Sequence, residues 1–195
     1  MTLSSELMFV TGNQHKVEEA NGILSEFNLK VRMASCEKIE IQSDSLTSIA
    51  EYAASVAASK IAKPVLVEDS GLFIAALSGF PGPYSSFTFN TIGCKGVLKL
   101  LRGISDRRAR FRCAVSFCKP GSNPTNFEGY ADGAISLGEK GLAGFGFDPI
   151  FIPLDGDGRT FAEMPSPEKG RLSHRGAAFR AFGKWYTDSK TAKLK

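Results

Sequence analysis

Residues 7–33, LMFVTGNQHKVEEANGILSEFNLKVRM, decide the fold class. Leu7 to Thr11 is a short apolar run stopped by the turn signal Gly12-Asn13, which reads as a buried strand. From about His15 the apolar positions Val17, Ala20, Leu24 and Phe27 recur at helical spacing, and Leu29, Val31 and Met33 then alternate as a half-buried strand does. Strand, helix and strand within about 30 residues predict a right-handed βαβ crossover and a parallel strand pair.

Outward from this unit the alternation continues. A second helix is predicted from near Ser48, with Glu51 as its capping-box partner and a stripe through Ile49, Ala53, Val56, Ala57 and Ile61. Pro64 ends it, and Val65-Leu66-Val67 forms the next buried strand. LSGFPGPYSS (77–86) reads as a Gly/Pro loop and Val97 to Leu101 as a short helix closed by Gly103. Between 109 and 118, Ala109, Phe111 and Cys113 alternate with Arg110 and Arg112, continuing from Arg108, the pattern of a strand with one wet face. Residues 127–137 and 145–152 read as further strands. From Ser173 to about Tyr186 the chain is helical, with Phe179, Phe182 and Tyr186 on one stripe. The fold class is α/β, a mixed sheet flanked by helices.

At 195 residues, 43% hydrophobic and 23% charged, the chain has the make-up of an ordinary globular domain, so disordered and fibrous classes drop out. Its apolar runs are shorter than the roughly 18 residues of a membrane span. The opening MTLSSELMFVTGN lacks a basic n-region and does not read as a secretion signal. Cys36, Cys94, Cys113 and Cys118 are scattered without a C-x-x-C pair, which predicts reduced thiols in a cytoplasmic protein. The same spacing argues against zinc, to which His15 and His174 would add only two imidazoles. A net charge of +4 suits polyphosphate ligands by steering but is too small to argue for nucleic acid. A single domain over residues 1–188 is expected, followed by a basic tail, 189–195, carrying Lys190, Lys193 and Lys195.

Four segments carry chemistry. In TGNQHK (11–16) a strand ends at a helix N-terminus, where backbone N–H groups and the helix dipole favour anions and Lys16 adds a point charge. It lacks the Walker A spacing, and an ordinary βα turn with a solvated lysine fits the same residues. In VEDSG (67–71) Glu68 and Asp69 follow an apolar strand and precede a glycine turn, so the two acids fall on opposite faces where α/β folds bind ligands. They could divide metal or water binding from support, or Asp69 could merely cap a turn. Glu40 stands alone between Ile39 and Ile41 on a predicted strand, the usual setting of a solvated face. In GFGFDP (144–149) Phe145 and Phe147, two apart, would share a face in extended structure and could stack on a base or pack a core, with Asp148 beside them. In FAEMPSPEKGRLSHR (161–175), Ser166-Pro167 opens a short helix bearing Lys169, with Ser166 as its predicted N-cap. Ser173 caps the next helix, whose first turn holds His174 and Arg175. Cations there oppose the dipole and call for an acceptor-rich ligand or a carboxylate as compensation.

The ordered set TGN-x-x-K, V-E-D-S-G-L, F-P-G-P-Y, G-F-G-F-D-P, F-A-E-M and S-H-R resembles the inosine triphosphate pyrophosphatase family, the Ham1-like non-canonical purine NTP pyrophosphatases, from Val10 to about Phe182. The resemblance implies an elongated mixed sheet with two lobes and a cleft, a homodimer, and Mg²⁺-dependent hydrolysis of ITP, dITP and XTP to the monophosphate and pyrophosphate. It implies that Thr11, Gly12, Asn13 and Lys16 hold the triphosphate and that Asp69 is the general base. Glu40, Glu68 and Asp69 would bind metal, with Ser70 and Gly71 at the substrate. Phe145, Gly146, Phe147 and Asp148 would meet the base and nucleotide, Lys169 a phosphate, and Ser173, His174 and Arg175 the base pocket. Many members carry Tyr or Trp where this chain has Phe147. The rival reading, a nucleic-acid protein using Arg108, Arg110 and Arg112 as a phosphate-facing stripe, lacks a recognised binding module.

Overall fold

The computed structural model describes residues 7–34 and 36–191. Lys193 and Lys195 of the basic tail, and the first six residues, lie outside them.

The predicted crossover is present. Strand β1 (Leu7–Val10) leads through Thr11–Asn13 into helix α1 (Gln14–Leu24), and β2 (Val31–Met33) returns parallel to β1 with Leu7 opposite Val31. Asn21 ties the return: its side-chain amide donates to the Val31 carbonyl (3.0 Å) and its oxygen accepts from the Val31 amide (2.8 Å). Helix α2 (Leu46–Ile61) begins earlier than predicted. Its N-cap is Ser45, whose hydroxyl accepts from the Ser48 amide at 3.2 Å, so Ser48 is the capped residue, not the cap. Glu51 then lies inside the helix and accepts from Asn126 instead of closing a capping box.

Strand β3 (Val65–Ile74) is far longer than the three predicted residues and runs straight through Glu68, Asp69 and Gly71. The reason is its neighbours. β1 pairs with it only as far as Val10 opposite Val67, but β5 (Arg108–Cys118) pairs antiparallel along its whole length, from Val65 opposite Cys118 to Ile74 opposite Ala109. The predicted glycine turn after Asp69 is therefore sheet. Gly71 is needed there for another reason: a Cβ on it would stand 2.2 Å from the Gly82 carbonyl oxygen. Gly82 belongs to β4 (Pro81–Gly82), which follows a cis Phe80–Pro81 bond inside the segment predicted as a loop. Helices α3 (Ser85–Thr91) and α4 (Gly93–Leu100) follow, so the predicted short helix starts four residues early and Leu101 closes it.

Strand β6 (Thr125–Ile135) pairs antiparallel with β5, and β7 (Phe151–Pro153) with β6. Residues 145–147 turn and Asp148–Ile150 form a short 3-10 helix, not strand, because Gly144 and Gly146 take left-handed φ of 73° and 62°. Phe145 and Phe147 therefore do not share a face. Helix α5 (Ser166–Leu172) has Pro165 at its N-cap, one residue before the predicted Ser166. Helix α6 (His174–Thr191) is capped as expected, the Ser173 hydroxyl accepting from the Gly176 amide at 3.0 Å, and it passes Tyr186 to take in Ser189 and Lys190.

The seven-stranded sheet has the order β2-β1-β3-β5-β6-β7, with β4 paired to β3; it is parallel at the β2-β1-β3 end and antiparallel beyond. Two cores flank the parallel end. On one face Phe9, Leu66 and Val115 meet Leu24 of α1 and Phe179 and Phe182 of α6; each fully buried phenylalanine stabilises the helix by about 1.5–3 kcal/mol. On the other, Ala53, Ala54 and Ala57 bring α2 close against Val10, Val65 and Val67. A separate core fills the antiparallel end around Leu72, Val97, Phe111, Phe147, Phe151 and Phe161. Along β3, Glu68 and Asp69 fall between Val67 of one core and Leu72 of the core at the antiparallel end.

Candidate active site

The site forms where β1 stops and β3 continues. Past Val10 the chain turns away into α1, so β3 beyond Val67 loses its parallel neighbour and Glu68 and Asp69 border the gap left beside them. The turn is shaped by its own side chains: Thr11 Oγ1 accepts from the Asn13 amide (3.1 Å) and Asn13 Oδ1 from the His15 amide (3.0 Å). Two of the amides expected to meet an anion are thus already engaged. Gly12 lies between Thr11 and Asn13 with open space where a Cβ would be.

Strand alternation sends the two acids to opposite faces, as expected. Glu68 is fully buried and meets Lys16 Nζ at 2.7 Å, Arg175 Nη2 at 3.0 Å and the Cys113 thiol at 3.4 Å. Burial pushes its carboxyl up, but Arg175 and Lys16 outweigh that and hold it well below the usual range. Asp69 meets Lys38, whose Nζ is 3.2 Å from Oδ1; burial prevails here and raises the carboxyl. Ser70 Oγ accepts from Arg175 Nη2 at 3.1 Å.

From Arg175 an ion-pair chain continues across the cleft. Glu19, one turn beyond Lys16 on α1, accepts from Arg175 Nη1 and from Lys169 Nζ, both at 2.6 Å. Lys169 also meets Asp148 Oδ2 at 2.5 Å, and Asp148 accepts from the Phe145 amide at 2.8 Å. A Cβ on Gly144 would stand 2.1 Å from that Asp148 oxygen, so the loop needs glycine there. Phe145 carries Lys169 and Arg175 over its ring, at 5.0 and 5.3 Å, and stacks on His15 at 5.5 Å. A cavity of about 390 Å³ opens beside this stack, with Glu19, Gly144, Phe145 and Pro167 in its walls. That volume falls in the lower range for small-molecule sites.

The residues singled out in the sequence separate into three groups. Lys16, Glu68, Asp69, Ser70, Phe145, Asp148, Lys169 and Arg175 converge on the cleft, with Ser173 as the cap that aims Arg175. Glu40 joins through Lys38, at 2.6 Å, from an irregular segment (37–43) and not from the predicted strand; Ile39 and Ile41 are both exposed. Phe147 and His174 are core. Phe147 meets Phe89 edge-on, while His174 stacks face to face on Phe111 at 4.5 Å, and burial, reinforced by Arg175, drives its imidazole well below its ordinary value. Among the described residues, buried His174 Nδ1 and Arg175 Nε find no hydrogen-bond partner.

Sequence reading missed Glu19, Lys38 and Cys113. Glu19 had a usable signal, since it lies three residues after Lys16 on one helix face. Lys38 had none, because no periodicity governs its segment. The arginine stripe is exposed at Arg108 and Arg110 but engaged by its neighbours: Arg108 pairs with Asp106 (2.8 Å), Arg110 with Asp132 (2.5 Å), and Arg112 lies over Phe73 and Tyr130.

A mixed seven-stranded sheet with paired charges gathered at the end of its parallel strands is an α/β architecture of the kind that binds ligands beyond the carboxyl ends of its strands. The chain belongs to the Ham1 family, whose model matches residues 7–185. A Methanopyrus kandleri protein named dITP/XTP pyrophosphatase is 47% identical over 94% of this chain and 97% of its own, and one of the same name from Saccharolobus solfataricus is 49% identical over 94% of both. Among solved structures, a HAM1 protein from Coxiella burnetii superposes with a TM-score of 0.82 at 30% identity over 94% of this chain and 98% of its own. The Staphylococcus aureus Ham1 protein gives 0.80 at 27%, over 95% and 100%.

Proposed function

We propose that this protein hydrolyses non-canonical purine nucleoside triphosphates, dITP, ITP and XTP, to the monophosphate and pyrophosphate. The observation that carries the reading is one unbroken set of contacts, Lys16–Glu68–Arg175–Glu19–Lys169–Asp148–Phe145, joining motifs more than a hundred residues apart beside Asp69. Relatives named dITP/XTP pyrophosphatase at 45–49% identity support the substrate class.

In this reading the triphosphate enters beside the Thr11–Asn13 turn with Lys16 and Lys169 neutralising its charge, and the base stacks on Phe145. Asp69 takes the proton of the attacking water, the water oxygen bonds to the α-phosphorus, and pyrophosphate leaves. Such a reaction asks the protein for positioning and charge more than for covalent chemistry. Glu19 is the carboxylate that compensates Arg175 and Lys169. An acceptor such as the 6-oxo group of hypoxanthine or xanthine would compete for those donors, while a 6-amino group would leave a buried donor unpaired at about 1–3 kcal/mol.

The residues fit Mg²⁺. Glu40 Oε1, Asp69 Oδ1 and the Glu68 carbonyl oxygen already surround one cation, the Lys38 ammonium, whereas the Glu68 carboxylate is taken by Lys16 and Arg175. Among the described residues no three His, Cys, Asp or Glu side chains gather at metal-binding spacing. Mg²⁺ is commonly held by one or two carboxylates plus substrate phosphates. Glu40 and Asp69 would hold it, and when bound it would neutralise phosphate charge and lower the pKa of a bound water. A homodimer working in the cytoplasm completes the proposal. No helix among the described residues is long and apolar enough to cross a membrane.

Pyrophosphate release from ITP, XTP, dITP, GTP, ATP and dTTP, with and without EDTA, tests the reading. Turnover of the first three far above the rest, abolished by EDTA, is expected; equal rates on ATP and ITP would sink the substrate assignment.

A further inference from the structure

Lys38 sits in a cradle of oxygens. Its Nζ is 2.6 Å from Glu40 Oε1, 3.2 Å from Asp69 Oδ1 and 3.1 Å from the Glu68 carbonyl oxygen. Only 15% of the side chain is exposed, although Lys38 belongs to a segment, 37–43, that has no regular secondary structure. The ammonium is therefore what ties this segment to the central strand. The other cations of the cleft are occupied elsewhere: Lys16 meets Glu68 across the strand, and Lys169 and Arg175 meet Glu19.

An all-oxygen set with two carboxylates is the donor chemistry of hard divalent cations. It cannot hold Lys38 and such a cation together, because the two positive charges would share the same oxygens. Segment 37–43 can move without breaking a strand ladder, since it takes part in none.

We propose that Lys38 is a tethered competitor for the divalent cation: metal entry at Glu40 and Asp69 expels the Lys38 ammonium, which returns when the metal leaves. This rests on the reading that Glu40 and Asp69 hold Mg²⁺. The tether keeps a cation beside the two carboxylates at every stage and sets the metal affinity below what they would give alone. Lys38 thereby couples the position of segment 37–43 to metal occupancy.

The test uses the full chain without nucleotide. Mn²⁺ binding is followed by electron paramagnetic resonance in wild type, Lys38→Met, Asp69→Asn and Glu40→Gln. Acetylation of Lys38 by an activated ester is followed by mass spectrometry with and without saturating Mg²⁺, with exposed Lys95 as internal reference. Lys38→Met is expected to bind Mn²⁺ several-fold more tightly than wild type, and Mg²⁺ to raise Lys38 acetylation several-fold relative to Lys95. Equal Mn²⁺ affinity in Lys38→Met and wild type, with binding lost in Asp69→Asn, overturns the competition and leaves the metal reading standing. No rise in Lys38 acetylation overturns the displacement whatever the affinity shift. Mn²⁺ binding that persists unchanged in both carboxylate variants overturns the metal reading and this inference together.

Discussion

Arg175 Nη2 lies 3.0 Å from Glu68 Oε1, joining the first turn of the last helix to the middle of the central strand across 107 residues of chain. Both side chains are essentially inaccessible to solvent, at 2% and 0% exposure. The pair is the hinge of the cleft's electrostatics, because Glu68 also holds Lys16 and Arg175 also holds Glu19.

Removing one member of a buried pair leaves an uncompensated charge. Arg175→Met is expected to lower stability by about 3–5 kcal/mol in urea unfolding. Glu68→Met in the same background should recover part of that loss. Strictly additive single and double variants would show that the two side chains are not coupled.

Asp69→Asn keeps the shape of the side chain but cannot take a proton. A loss of about 100- to 10,000-fold in kcat is expected, with nucleotide binding retained. Because burial raises the Asp69 carboxyl above its ordinary 3.8, the acid limb of kcat/KM should lie above that value and vanish in the variant. Unchanged kcat would remove Asp69 from the chemistry.

The two phenylalanines of GFGFDP should separate by phenotype. Phe145→Ala should raise KM by the value of one base–aromatic stack, about 1–3 kcal/mol, with little change in unfolding. Phe147→Ala should destabilise by about 3–5 kcal/mol, since the ring is 3% exposed in the antiparallel core, and leave KM nearly unaltered. The reverse pattern would mean the assignments are exchanged.

His174 gives the protein a stability slope above the carboxylate range. Its folded-state value is depressed, so between it and the unfolded value of about 6.5 only the unfolded chain takes the proton. The stability it contributes is complete above pH ~6.5 and falls as pH drops below it, by at most about 1.4 kcal/mol per unit. Urea midpoints at pH 7.5 and 5.5 measure this, and His174→Asn should flatten the difference. An equally steep decline in the variant would assign it to other groups.

The helices and strands with clear period were legible because each rests on local pattern: the βαβ unit from Leu7 to Met33, the α2 stripe at Ile49, Ala53 and Ala57 (Val56 and Ile61 are only half-buried), and the Ser173 cap that turns Arg175 inward. The misreadings share a cause. Ser48 reads as a cap because Glu51 follows three residues on, as in a capping box, but the helix starts where Ser45 can accept the Ser48 amide. Phe145 and Phe147 looked like a platform because alternation was assumed, while Gly144 and Gly146 bend the chain and send one ring to the cleft and the other to the core.

By itself the sequence determined the α/β class, the parallel start of the sheet and the identity of most charged groups in the cleft, since residue type and short-range spacing settle these. Only the tertiary structure decided how those charges are shared. β3 extends past its acids because β5 pairs with it from far along the chain. Glu68 binds Lys16 and Arg175 while Asp69 meets Lys38, because strand alternation and long-range approach place cations on opposite faces. An ion pair between residues a hundred positions apart leaves no local pattern; it exists only because burial makes each charge require a partner.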